Sequence, residues 1–183
     1  MARVLVPLAN GCEELEAVTI IDILRRAGVE VVTAGLTDGA ITASRGVVLM
    51  PDKALDDVLG DDYDMIVLPG GLPGADHLDA DPRIHALLQR MAEQDRYTAA
   101  ICAAPKVLLN AGLLDGHKVT AYPGVIDGQL GGTSQLLVDP VVSDGRVITS
   151  RGPGTAMDFA LTLIAKLLGA DKRQEVEAPL VRT

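Results

Sequence analysis

The chain has 183 residues, with 16 Lys+Arg against 25 Asp+Glu and a formal net charge of −9, a balance that argues against a dedicated nucleic-acid-binding surface because such a surface needs a basic face. Hydrophobic residues make up 48% and charged residues 22%, a globular composition and not that of a disordered chain. With no Trp, three Tyr and one Phe, aromatic stacking is not the main binding device, and the core must be built from aliphatic side chains.

The elements follow in chain order. Val4–Leu8 (VLVPL) is a buried-strand candidate. Glu13 to Arg26 is predicted as a helix, with Val18, Ile21 and Leu24 or Arg25 at helical spacing. It opens with acids and closes with Arg25-Arg26 before Ala27-Gly28, which suits the helix macrodipole and a glycine C-cap. Val29–Ala34 is the second strand, and Ile41–Met50 is a less regular extended stretch around Ser44-Arg45-Gly46. Asp64–Leu68 (DMIVL) is a further strand, stopped by Pro69-Gly70-Gly71. Asp81-Pro82 opens a helix that runs to about Glu93, with Asp as N-cap and Pro in the first turn. Tyr97–Ile101 reads as a strand, Ala104–Asn110 as a helix and Lys118–Tyr122 as a short extended piece. Val138–Val142 and Arg146–Thr149 flank Ser143-Asp144-Gly145 as a hairpin, and Gly154 to Leu168 is the last long helix.

Strands alternating with helices imply an α/β fold with a mostly parallel sheet and helices on both faces, plus the small β-hairpin. The strands are continuous apolar runs, as burial on both sides requires. No linker or repeat interrupts the pattern, so a single domain over 1–183 is expected. No run approaches the ~18–20 apolar residues of a membrane span, and the first apolar run is too short for a signal sequence. A cytoplasmic protein with no membrane association is therefore expected. Two cysteines, Cys12 and Cys102, are too few for a disulfide scaffold or a four-ligand zinc site, and no metal or other cofactor is expected.

In parallel sheets, ligands sit beyond the carboxyl ends of the strands. Three such ends carry chemistry. Cys102 follows a buried strand and immediately precedes a helix, the place of a nucleophile elbow, where free N–H groups favour a thiolate and lower the thiol pKa. From position alone, a buried inert core cysteine fits as well. Gly70-Gly71 is either a simple turn or a bare backbone able to approach a ligand and form half of an oxyanion hole, the other half being the N–H after Cys102. Glu13 and Glu14 suit the helix dipole. Glu16 lies on another face, and beside a buried thiol it would keep its proton to higher pH and move protons. Among the histidines, His85 and His117 read as surface residues, and no residue is positioned to make a Cys-His dyad. Arg45 and Arg151, both in Ser-Arg-Gly contexts, read either as surface residues closing turns or as members of an ion pair, within the chain or across subunits.

Taken together, Glu13-Glu14-Leu15-Glu16, Arg25-Arg26-Ala27-Gly28, Ser44-Arg45-Gly46, Val67-Leu68-Pro69-Gly70-Gly71, Ala100-Ile101-Cys102-Ala103-Ala104-Pro105, Thr149-Ser150-Arg151-Gly152-Pro153-Gly154-Thr155 and Ala178-Pro179-Leu180-Val181 resemble the ThiJ/PfpI superfamily, in particular its parkinsonism-associated deglycase and bacterial YajL branches. The resemblance spans essentially the whole chain. It implies a flavodoxin-like three-layer sandwich and a homodimer. It implies Cys102 as nucleophile, Glu16 as the acid hydrogen-bonded to its sulfur, and Gly71 and Ala103 as backbone donors. Gly70, Tyr122, Arg45 and Arg151 would line the pocket. The implied substrates are small α-oxoaldehydes such as methylglyoxal, or early glycation adducts on proteins. The implied alternative is a redox-sensing holdase chaperone whose Cys102 is oxidised to sulfinate. The residue after the cysteine is Ala103, where the peptidase branch carries His. Tyr122 stands where the human member carries His. Both departures leave Glu16 as the main proton shuttle. Cys12 reads as a bystander or as a thiol that resolves oxidised Cys102.

Overall fold

The computed structural model describes residues 1–182. Its strands are β1 (Arg3–Leu8), β2 (Glu30–Gly35), β3 (Ile41–Thr42), β4 (Val48–Leu49), β5 (Lys53–Ala54), β6 (Met65–Leu68), β7 (Tyr97–Ile101), β8 (Lys118–Val119), β9 (Gln135–Leu136), β10 (Val141–Asp144) and β11 (Val147–Ser150). Its α-helices are α1 (Glu14–Arg26), α2 (Gly74–Ala80), α3 (Pro82–Glu93), α4 (Pro105–Asn110), α5 (Ala156–Leu168) and α6 (Ala170–Glu177). The main sheet has seven strands in the order β10-β11-β7-β6-β1-β2-β5. Every pairing in it is parallel except β10 with β11.

Side chains alternate across a strand, and here both sets are apolar. Val4, Val6, Met65, Val67, Ala99 and Ile101 join the core shared with α1 and α5, around Ile20, Leu24, Phe159 and Ile164. Leu5, Ile66, Leu68 and Ala100 face the opposite core, with Ile84 and Leu88 of α3 and Val107 and Leu108 of α4. That two-sided burial makes three layers, and it explains why the strands read as unbroken apolar runs.

The observed elements adjust the sequence expectations in instructive places. Helix α1 buries Glu16, Ala17, Ile20, Ile23 and Leu24, so its inward face is not the Val18–Ile21 stripe; Val18 is exposed. Glu13 lies one residue before α1, where its carboxylate accepts the Glu16 N–H at 2.8 Å. The stretch Ile41–Met50 contains an antiparallel pair, β3 with β4. The hairpin expected around residues 143–145 is β10–β11, and it forms the edge of the main sheet. The helices α2 and α6 were not anticipated: α2 begins at Gly74 and has only 7 residues, and α6 is almost entirely polar, so neither carries a clear apolar period.

Candidate active site

The carboxyl ends of β1, β6, β7 and β11 are adjacent because those strands are neighbours in the sheet, and the segments that follow them build one site. After β7 the chain turns sharply. Cys102 adopts φ 63, a left-handed conformation uncommon for any residue but glycine. The strain is held from both sides. The Cys102 N–H donates to Ser150 O at 2.9 Å, its carbonyl accepts the Tyr122 N–H at 2.9 Å, and Ala104 N–H closes back on Ile101 O at 3.0 Å. The elbow expected from the strand–Cys–helix pattern is therefore present, with Cys102 as a residue 8% exposed.

The segment after β6 wraps around this elbow. A Cβ on Gly70 would lie 2.7 Å from Cys102 Cβ and 2.8 Å from Glu16 Oε2. Gly71 has φ 87, and a Cβ there would meet the Glu13 backbone nitrogen at 2.4 Å. No side chain fits at either position, which is the physical reason for two consecutive glycines. On the far side of this strap, Gly70 O accepts the Glu13 N–H at 2.9 Å. The strap thus packs against the loop carrying Cys12 on one side and against Cys102 on the other.

Glu16 is fully buried. Its Oε2 accepts the Gly70 N–H at 2.8 Å, while Oε1 is sealed from solvent and finds no nitrogen or oxygen partner among the described residues. The carboxyl's remaining neighbour is the Cys102 thiol. Burial dominates its titration and pushes it up to about 7; the Gly70 N–H and the thiol pull the other way, and nearby Glu13 adds to the rise.

The thiol departs from the sequence expectation of a lowered pKa. Burial pushes Cys102 up to about 12, and the charge of Glu16 adds to the rise. Among the causes acting on the thiol, only the Gly71 and Ala103 backbone N–H groups favour the thiolate. Helix α4 has only 6 residues, too short to offset desolvation. Glu16 and Cys102 are one coupled unit. When Glu16 holds a proton, the repulsive contribution to the thiol vanishes and the two backbone donors face only desolvation. Protonation of Glu16 thus removes one of the two effects that oppose the thiolate, and burial remains the other.

The remaining predicted residues fall around this centre unevenly. Tyr122 is tied to the elbow through its amide and is half-exposed. Arg45 donates through Nη1 to Ser44 O at 3.3 Å, and Arg151 through Nη1 to Val138 O at 2.8 Å. Each guanidinium therefore bonds a main-chain carbonyl, and neither is hydrogen-bonded to Cys102 or Glu16. Of the histidines, His77 bonds Asn10 O at 2.9 Å, whereas His85 and His117 are part-buried beside Asp79 and Asp144 instead of free on the surface. Glu14 has a structural task that sequence reasoning missed. Its carboxylate accepts from Ser44 Oγ at 2.9 Å and Arg45 N at 2.7 Å, latching the turn between β3 and β4 onto α1. Those partners lie some thirty positions away, so no local pattern announces them.

Residues 2–166 match the DJ-1/PfpI family. The chain belongs to that family. It is 42% identical over 182 residues to the Parkinson disease protein 7 homolog of Danio rerio, covering 98% of this chain and 96% of the relative. It is 38% identical over 179 residues to the glutathione-independent glyoxalase DJR-1.2 of Caenorhabditis elegans, covering 98% and 95% respectively. Among solved structures, oxidized DJ-1 of Toxoplasma gondii superposes with a TM-score of 0.95 at 40% identity, over 100% of both chains. The DJ-1 fold is thus shared over the described chain. No helix of the described residues is long and apolar enough to cross a membrane.

Proposed function

We propose that this DJ-1/PfpI protein is a cofactor-free enzyme acting on reactive carbonyls, of the glyoxalase or deglycase type, with Cys102 as nucleophile. The observation that carries this is the strained Cys102 elbow with a buried, proton-retaining Glu16 acting on its thiol. The relative named as a glutathione-independent glyoxalase supports the same chemistry.

In the proposed sequence, a proton passes from the thiol to Glu16 and the sulfur attacks the aldehyde carbon of an α-oxoaldehyde, which for an early adduct on a protein is first regenerated as the protein amine or thiol leaves with a proton. A C–S bond forms and the carbonyl electron pair moves to oxygen, giving a hemithioacetal once that oxygen is protonated. Gly71 and Ala103 N–H groups offset the developing negative charge. Glu16, again ionised, takes the proton from the former aldehyde carbon and returns one to the adjacent carbon. The product is a thioester, and water cleaves it to a 2-hydroxy acid and the free thiol. For methylglyoxal the sum is addition of one water to give lactate. The check is lactate formation by Cys102→Ser, expected to fall by at least about 10³-fold; wild-type turnover in that variant overturns the mechanism. A compartment that keeps thiols reduced, the cytoplasm, suits such an enzyme.

We further propose that two chains pair. Leu15 and Val18 of α1, together with Val47 just before β4, Val48 within it and Met50 just after it, are large exposed apolar side chains. Burying them against a second copy removes an apolar patch from water. Sedimentation at micromolar concentration is expected to give twice the chain mass, with Val18→Glu shifting it to one.

The same geometry supports a second reading, a thiol sensor in which Cys102 is oxidised and the protein acts chiefly as a chaperone. Oε1 of Glu16 is buried and unpartnered among the described residues, which supports a role for its acid form as donor to a sulfinate oxygen. Substantial lactate turnover by the unoxidised protein favours the enzyme.

A further inference from the structure

A cavity of about 630 Å³ lies apart from Cys102 and Glu16, neither of which lines it. It opens beyond the carboxyl ends of β1 and β2, where Ala9-Asn10 and Leu36-Thr37 leave the sheet, and the corner between α2 and α3 closes it from the other side. Ligands of parallel sheets sit at strand ends of this kind, and the volume falls within the ~300–1,000 Å³ of small-molecule sites. Close backbone contacts build it. A Cβ on Gly74, the first residue of α2, would stand 2.5 Å from Cys12 N, and one on Gly11 would stand 2.5 Å from Pro73 Cδ. The loop after β1 is therefore pressed onto the start of α2. A hydrogen bond of 2.9 Å between His77 Nδ1 and Asn10 O joins the same two segments. Arg83 fixes the opposite wall, its Nη2 donating to Leu36 O at 2.9 Å.

Ala9, Leu36, Ala80 and Pro82 make the lining largely apolar, and three polar side chains in it keep unused hydrogen-bonding capacity. Asn10 Oδ1 accepts the Thr42 N–H at 2.9 Å, which fixes the orientation of the amide and leaves its Nδ2 without a partner among the described residues. A carbonyl oxygen only accepts, so His77 Nδ1, bonded to Asn10 O, carries the ring hydrogen. In the neutral ring Nε2 is then an acceptor, and it too is unpartnered among the described residues. The Thr37 hydroxyl adds a group able to donate or accept. The charged groups are spent on one another. Arg83 donates through Nε at 3.0 Å and Nη2 at 2.6 Å to Asp81, and through Nη1 at 2.8 Å to Asp56. Two carboxylates on one guanidinium disfavour an anionic ligand, and Asp81 is committed to Arg83.

We propose that this cavity binds a neutral, flat heterocycle with a lactam edge, an N–H beside a C=O, the pattern that uracil and hypoxanthine share. Asn10 Nδ2 donates to the carbonyl, His77 Nε2 accepts the N–H, and the apolar lining covers the ring. Both side chains are held in place by hydrogen bonds that exist before any ligand arrives, which lowers the cost of binding. The site is independent of the proposed carbonyl chemistry at Cys102.

Two measurements test it, and neither needs turnover. The first titrates the wild type with 2-quinolone and with 1-methyl-2-quinolone, which keeps the rings and the carbonyl but lacks the N–H, while backbone amide shifts are followed by NMR. 2-Quinolone is expected to bind with a Kd below about 1 mM and to move the amides of Asn10, Thr37 and His77. The methylated compound is expected to bind roughly tenfold more weakly, because Nε2 of His77 loses its donor. The second repeats both titrations with His77→Asn, whose side-chain nitrogen can still donate to Asn10 O but which has no counterpart of Nε2. Affinity for 2-quinolone is expected to fall roughly tenfold and the gap between the two compounds to close. Saturating 2-quinolone is expected to leave iodoacetamide labelling of Cys102 within about twofold of its free rate, as for a site apart from the nucleophile. Absence of binding at millimolar concentration, equal affinity for the two compounds in the wild type, or an unchanged preference in His77→Asn overturns the lactam site. So do shifts centred on Gly71 and Ala103 with protection of Cys102, which would put the ligand at the nucleophile.

Discussion

The two cysteines make a controlled comparison. Both are buried, both belong to the same hydrophobic core, and burial raises both thiols, Cys12 to about 11 and Cys102 to about 12. Burial alone therefore does not separate them. Their neighbours do. The charge that most opposes a Cys12 thiolate is Glu14, whose carboxylate is held below its usual range: partial desolvation acts against this, but N–H and hydroxyl donors, among them Ser44 and Arg45, outweigh it. A committed carboxylate cannot accept the thiol's proton. Cys102 instead faces Glu16, which titrates near 7 and can take it. The Gly71 and Ala103 N–H groups also favour a Cys102 thiolate, and Cys102 occupies a strained φ 63 elbow, whereas Cys12 sits in a loop whose backbone is tied to Ala9 and Ser44. In the proposed mechanism, reactivity comes from which neighbour can hold the proton, and a thiol pKa taken in isolation misses it.

The largest expected effect separates the two thiols directly. Where Cys102→Ser removes turnover, Cys12→Ser is expected to keep it within about twofold while costing about 1–3 kcal/mol of stability for burying a hydroxyl in an apolar site. Lactate assays and urea midpoints check both halves, and a large activity loss in Cys12→Ser breaks the contrast.

Glu16→Gln sharpens it further, because it removes the proton acceptor while leaving the thiol in place. Turnover is expected to fall about 10²-fold. Stability moves the other way. The folded chain holds the Glu16 proton up to about 7 against the ordinary 4.5, so the folded state binds more protons across that window. Wild-type stability therefore declines as pH rises through it, by up to about 3 kcal/mol. Gln has nothing to ionise, so the gap between wild type and variant should close on going from pH 8 to pH 5. Urea melts at the two values measure the difference, and a pH-independent gap would contradict a buried, late-titrating acid.

The smallest effect is a rate of labelling. Iodoacetamide is expected to alkylate Cys102 on the order of tenfold faster than Cys12, which is 1% exposed and reached only when the structure opens locally. Peptide mass mapping over time gives both rates.

Much of this protein is legible along the chain. Continuous apolar strands alternating with helices dictate a parallel sheet covered on both faces, since only two-sided burial removes so many Val, Leu and Ile side chains from water. Strand–Cys–helix at residues 97–110 places the cysteine at a strand's carboxyl end, and consecutive glycines at 70 and 71 signal a backbone that tolerates no Cβ. What the tertiary structure decided are the quantities set by neighbours distant in sequence. Glu16 and Gly70 are separated by 54 positions, yet their hydrogen bond and shared burial determine which group holds a proton. The face of α1 that turns inward, the latch from Glu14 to the Ser44 turn, and the upward rather than downward titration of Cys102 likewise depend on packing. Local pattern reports period and turn chemistry; desolvation and long-range hydrogen bonding exist only once the strand ends have been brought together.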